Sequence, residues 1–223
     1  MPEPLFGSDR LLHKDDWFRE PCLTTDAKAE FDRRLSRSRA QRPEYLRIQA
    51  YALRQAGAFE DALAMLARVT SDYPDHLSAW IHASMAHCFE ATGKMDAALR
   101  SYEMSIQRMR QHPGIRANAH TAYAALVVRL NHGDLFEDAL AYLNEFSDPD
   151  PIFPAYEIEQ FGWAAIISDK LGDRPNAVAF AERALAAAVK RKSGAANHEE
   201  LGLAEERHAE LLEQLERIPH RDM

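Results

Sequence analysis

The octet FEDALAML at residues 59–66 recurs as FEDALAYL at residues 136–143, with seven of eight letters the same and the starts 77 residues apart. In residues 59–70 the apolar set is Phe59, Ala62, Leu63, Leu66 and Val69. In residues 136–146 it is Phe136, Ala139, Leu140, Leu143 and Phe146. Both follow i, i+3, i+4, i+7, i+10, one apolar stripe of an α-helix. A chain that writes one amphipathic helix twice has one packing problem twice, so the feature predicts a repeat array.

The punctuation between stripes supports this. Prolines 43, 74, 113, 149, 151, 154, 175 and 219 separate stretches rich in Ala, Leu, Arg, Glu, Met and Gln, which favour helix. No alternating Val/Ile/Thr run suggests a strand. Gly57, Gly93, Gly133 and Gly172 fall inside these stretches, each just before a new helical pattern. Glycine tolerates positive φ, so each reads as the turn of a helix–turn–helix unit. Four copies align on Ala62, Ala98, Ala139 and Ala177, spaced 36, 41 and 38 residues apart.

This pattern resembles the tetratricopeptide repeat, a helix–turn–helix unit of about 34 residues. The first copy reads Leu46, Gln49–Ala50, Leu53, then Ala62, Leu66 and Pro74. The second reads His82, Met85–Ala86, Phe89, Ala98 and Tyr102. The third reads Tyr123, Leu126–Val127, Leu130, Ala139 and Leu143, and the fourth Phe161, Ala164–Ala165, Ser168, Ala177 and Ala181. Val127, Ser168 and Ala181 depart from the pattern. The resemblance implies an all-α solenoid of about ten helices, built as a single repeat domain over 24–217. Its copies would span about 43–74, 79–112, 120–149 and 158–192. A leading helix over 25–39 with Thr25 as N-cap and a closing helix over 198–217 would cap the array. Residues 1–23 form an N-terminal arm and 218–223 a tail.

The charge excludes some functions. Thirty-five acidic and 27 basic residues leave a net charge of -8, which argues against nucleic acid or an anionic membrane held by the whole surface. Arg33, Arg34, Arg37, Arg39 and Arg42 form a basic run, read as a solvated helix face. Two distant cysteines, Cys22 and Cys88, fit neither a disulfide framework nor a zinc site. The first residues lack a signal-peptide core, and no apolar run nears the length that spans a bilayer. A cytoplasmic location is therefore expected. HEELG at 198–202 is not H-E-x-x-H, no G-x-S-x-G elbow occurs, and no phosphate loop is present. The expectation is a non-catalytic protein without cofactor or metal.

The resemblance also implies where binding occurs, because first helices of the units line a concave groove. That places Arg47, Tyr51 and Arg54, then Trp80, His87 and Glu90, then Thr121, Val128 and Asn131, then Gly162, Ile166 and Asp169 on the groove. The expected function is a scaffold or adaptor that binds a peptide or protein segment there, with Arg47 and Arg54 as anion contacts. The alternative is self-assembly. Leu201, Leu203, Leu211, Leu212 and Leu215 exceed one helical stripe and would form the apolar face of a homodimer.

Overall fold

The computed structural model describes residues 16–74 and 78–218; the arm before residue 16 and the tail after 218 lie outside the described residues. The helices are α1 (Thr25–Arg37), α2 (Arg42–Gln55), α3 (Phe59–Asp72), α4 (Ala79–Ala91), α5 (Met95–Gln111), α6 (Ala119–Leu130), α7 (Phe136–Glu145), α8 (Pro154–Lys170), α9 (Arg174–Ala188) and α10 (Ala209–Arg217). No strand occurs among the described residues. The chain divides into two compact units, one ending at Ala119 and one beginning at His120.

In the first unit α2 pairs with α3, and α4 with α5. Each hairpin turns at a glycine in the left-handed region, Gly57 (φ +80°) and Gly93 (φ +76°). The Ala58 N–H returns to the Leu53 carbonyl at 2.9 Å, and the Lys94 N–H to that of Phe89 at 2.8 Å. These bonds satisfy carbonyls that a helix end leaves open. Leu46, Ala50, Leu53, Ala62, Leu66 and Val69 form the core with Ile81. Ala62 and Ala98 are fully buried, as their alignment predicts.

The open end of the first unit is sealed from two sides. Helix α1 packs through Phe31 and Leu35, and Arg68 on α3 reaches Asp32 at 2.7 Å. Its N-cap is Thr24 rather than Thr25: the Thr24 hydroxyl accepts from the Ala27 N–H at 3.2 Å. Ahead of α1, Trp17 packs against the rings of Phe18, Phe31 and Tyr45. The Gln49 amide holds both backbone groups of Glu20, accepting its N–H at 3.2 Å and donating to its carbonyl at 2.6 Å. The basic run is partly consumed locally. Arg33 and Arg34 both bond Glu30, and those bonds, Arg33's first, hold its carboxyl down at about 2. Arg42 caps the carbonyls of Ser36 and Ser38.

In the second unit α6 faces α7 through Tyr123 and Tyr142, ring centroids 5.4 Å apart. The left-handed residue of this turn is Asn131 (φ +53°), and Gly133 instead opens a 3-10 turn. Asparagine also tolerates this region, which the reading of Gly133 overlooked. Between α8 and α9, Ala165 packs with Ala177, Ala181, Ala184 and Ala187. The small residue at 181, a departure in the repeat pattern, belongs to this row of close-packed alanines. Two buried polar groups lie beside it. Glu157 receives Arg183 Nε at 3.0 Å and Lys190 Nζ at 2.6 Å. Gln160 donates to the Leu143 carbonyl, so its Oε1 accepts from His120 Nε2 at 3.1 Å.

The closing helix is shorter than the 198–217 predicted. Residues 199–202 are turns and 203–205 are irregular, a 3-10 turn spans Glu206–His208, and α10 starts at Ala209. Gly202 explains the break. It sits at φ +67°, where a side chain would be strained, and a Cβ there would come within 2.4 Å of Phe153. Its carbonyl accepts from the Ala155 N–H at 2.8 Å, which ties the turn to the start of α8. Leu201 and Leu203 are therefore not on the helix. Leu211, Leu215 and Ile218 are buried in the core that α8 and α9 form. The apolar surface read as a dimer face is largely consumed within the chain.

Candidate functional site

Leu46, Ala50 and Leu53 turn one side of α2 into the first core, which leaves Arg47, Tyr51 and Arg54 at i, i+4, i+7 on another side. On α4, Ile81 and Cys88 point into that core, and Trp80 does not. The outcome is two large rings in solvent: Tyr51 is 46% exposed and Trp80 50%. Arg47 and Trp80 line one cavity of about 290 Å³, with Ala40, Gln41, Pro43, Glu44, Val69, Ser78 and Ile81 completing its wall.

The two arginines of this face differ. Arg47 is held by Glu44, Nε to Oε2 at 2.9 Å and a terminal nitrogen to Oε1 at 2.5 Å. Those hydrogen bonds lower the Glu44 carboxyl below the usual range. Arg54 has no carboxylate partner among the described residues. Its guanidinium lies 5.3 Å from the centre of the Tyr51 ring, and its Nε is buried without an acceptor.

His87 and Glu90 do not stand out as free groups. His87 Nδ1 lies 2.9 Å from the hydroxyl of buried Tyr102, which also reaches Glu90 at 3.4 Å. Burial, and then the charge of Arg54, push the His87 imidazole down to about 4, so it is neutral at pH 7. Cys88 is pushed up to about 11 by burial and is a thiol at neutral pH. That pair does not make the activated thiolate that nucleophilic chemistry needs.

The remaining sequence-predicted groove positions belong to the second unit. Asn131 ends α6 and accepts from Lys170 Nζ at 2.8 Å. Thr121 and Ile166 are buried. Val128 packs against the core of that unit. Asp169 pairs with Arg174 at 2.9 Å. Gly162 is covered by Leu211. Arg47 and Trp80 thus share one cavity wall, Arg54 lies against the Tyr51 ring, and His87 and Glu90 meet at the Tyr102 hydroxyl. The sequence reading omitted Glu44, although its i, i+3 spacing to Arg47 is a recognisable helix ion pair. Tyr102 entered that reading only as a repeat position, because its bond to His87 depends on a contact between helices.

Among the described residues, no cluster of three metal-binding side chains exists, and no helix is long and apolar enough to cross a membrane. Residues 81–117 match the family model described as tetratricopeptide repeat. The fold is similar to the crystal structure of BtubC (BKLC) from P. vanneervenii, with a TM-score of 0.56 and 16% identity over 78% of this chain and 74% of that one. No curated protein matches the sequence. The matched segment begins at Ile81, just after Trp80, and covers the rest of α4 and all of α5 with buried Ala98. The match identifies one tetratricopeptide repeat over residues 81–117, and the helical hairpins before and after it give the chain an all-α, repeat-like fold.

Proposed function

We propose that the chain is a non-catalytic adaptor that takes a peptide or extended protein segment on the α2–α4 face of the first unit. The observation that carries this reading is half-exposed Trp80 on the wall of a preformed cavity, with a second half-exposed ring, Tyr51, on α2. Large rings left in solvent contribute little to the fold. In an interface they supply large contact area at low entropic cost, and binding surfaces are enriched in Trp, Tyr and Arg. Tetratricopeptide repeats generally mediate protein–protein interaction or assembly, which fits this face.

The test uses peptides selected on the full chain from a random displayed library. Tyr51→Ala and Trp80→Ala should each weaken the selected peptides about tenfold or more, with melting temperatures near the parent's. Peptides that bind both variants as they bind the parent would place the interaction elsewhere.

A further inference from the structure

We propose that the chain's own N-terminal arm occupies the cavity beside Trp80, with Leu11 or Leu12 as the seated side chain, so that a partner must displace it. This rests on the binding face proposed above and names what regulates access to it.

The path of the chain ahead of α1 points there. Two anchors fix its direction along α2. Trp17 packs on Tyr45, ring centroids 5.0 Å apart, and three residues later the backbone of Glu20 is held by Gln49. Residues 17 to 20 therefore run the same way as residues 45 to 49. Traced back from Trp17, the chain heads for the N-terminal end of α2. That end is the lip of the cavity, lined by Ala40, Gln41, Pro43 and Glu44. Tyr45 joins the two places: its ring meets Trp17, and its hydroxyl donates to Gln41 Oε1 at 2.6 Å.

Reach and chemistry select the residues. Fifteen residues precede Asp16, and the apolar pair nearest to it is Leu11–Leu12. Leu12 is four residues from Asp16, a reach of about 13 Å for extended chain at ~3.3 Å per residue. Gln41 and Tyr45 are also four residues apart, but only about 6 Å along the helix at ~1.5 Å per residue. The cavity, about 290 Å³ in volume, lies at the small end of ligand pockets and suits one large side chain. Pro43, Val69, Trp80 and Ile81 supply apolar wall. Its two charged groups, Glu44 and Arg47, already satisfy each other, so an uncharged side chain fits it better than an ion. Tethering supplies the rest. A segment held this close has an effective concentration on the order of 1 mM. Docking with a Kd of only about 0.1 mM then fills the cavity roughly nine-tenths of the time and weakens an outside ligand about tenfold.

The experiment uses the full chain labelled with 5-fluorotryptophan, in which Trp17, Trp80 and Trp163 report, and Trp80→Phe assigns the resonance of interest. The arm variant carries Leu11→Ser and Leu12→Ser, and its thermal melt should match the parent's. The expected result is a shift of the Trp80 fluorine resonance between parent and variant, the same at every protein concentration, with that of Trp163 unmoved. Library-selected peptides that need Trp80 should bind the variant about tenfold tighter than the parent. An unmoved Trp80 resonance, or unchanged affinity for those peptides, overturns the inference and leaves the binding face standing. A shift that grows with protein concentration assigns the cavity to a second copy's arm and overturns it as well. A moved resonance with no Trp80-dependent peptide keeps the docked arm and removes the partner site.

Discussion

Leu211 of α10 occupies the space that a side chain at Gly162 of α8 would need: a Cβ there would lie 2.9 Å from Leu211 Cδ2 and 3.2 Å from its Cγ. Glycine in mid-helix costs roughly 1 kcal/mol relative to alanine. Here it gives that up so that the closing helix can seat, and Leu211 is buried as a result.

The pair predicts a sign change. Gly162→Ala gains about 1 kcal/mol of helix propensity but forces Leu211 out of place, and overpacking costs about 1–3 kcal/mol. It should be neutral to destabilising in the parent. Leu211→Ala alone should cost about 2–5 kcal/mol. In that background the clash is gone, and Gly162→Ala should stabilise by up to ~1 kcal/mol. Urea denaturation of the four proteins of this cycle measures the coupling. Additive effects would show that the two residues do not touch.

Ala62 and Ala139 are both fully buried in the second helices of their hairpins. Leucine at either position should destabilise by about 1–3 kcal/mol through overpacking, read as a lower denaturation midpoint. Variants as stable as the parent would mean that neither alanine is at a close helix contact.

His87 predicts a pH dependence. Its folded-state value is depressed to about 4 from an ordinary 6.5, by burial first and then by Arg54. The unfolded chain therefore binds more protons than the folded one between these values. Stability from the neutral imidazole is fully present above about 6.5 and is lost as pH falls towards 4. His87→Gln should flatten the stability profile in this window and leave it unchanged above. Denaturation midpoints measured across the window, parent against variant, decide the matter, and parallel profiles would clear His87 of any part in it.

The arm predicts a protease phenotype. Gln49 is fully buried and bonds both backbone groups of Glu20. Gln49→Leu puts an apolar side chain of similar volume in place of the amide and removes both bonds. Cleavage by trypsin after exposed Arg19 should then become several-fold faster, because hydrogen bonds of this kind are worth ~1 kcal/mol each. Equal cleavage rates in parent and variant would show that the aromatic contacts of Trp17 hold the arm alone.

Much of the fold was legible because helix periodicity and turn chemistry are local. The stripe in FEDALA, the alanines at 62, 98, 139 and 177, and the left-handed glycines 57, 93 and 172 all appear where the letters place them. The exceptions share a cause. Asn131 took the turn intended for Gly133, since two residue types suit one conformation. The closing helix broke at Gly202, since Phe153, far away in sequence, packs against it.

The candidate site was legible only as a set of positions. Sequence spacing alone put Arg47, Tyr51 and Arg54 on one side of a helix, because side-chain direction follows from 3.6 residues per turn. Which of the two arginines is spent on Glu44 and which lacks a carboxylate partner was decided by side-chain geometry. Whether a first helix keeps its face open was decided by tertiary packing: Trp80 stays half exposed, while Gly162 lies under Leu211. Periodicity determines which face of a helix is apolar, but the element that comes to rest on that face is chosen by contacts between residues distant in the chain, and those no local pattern encodes.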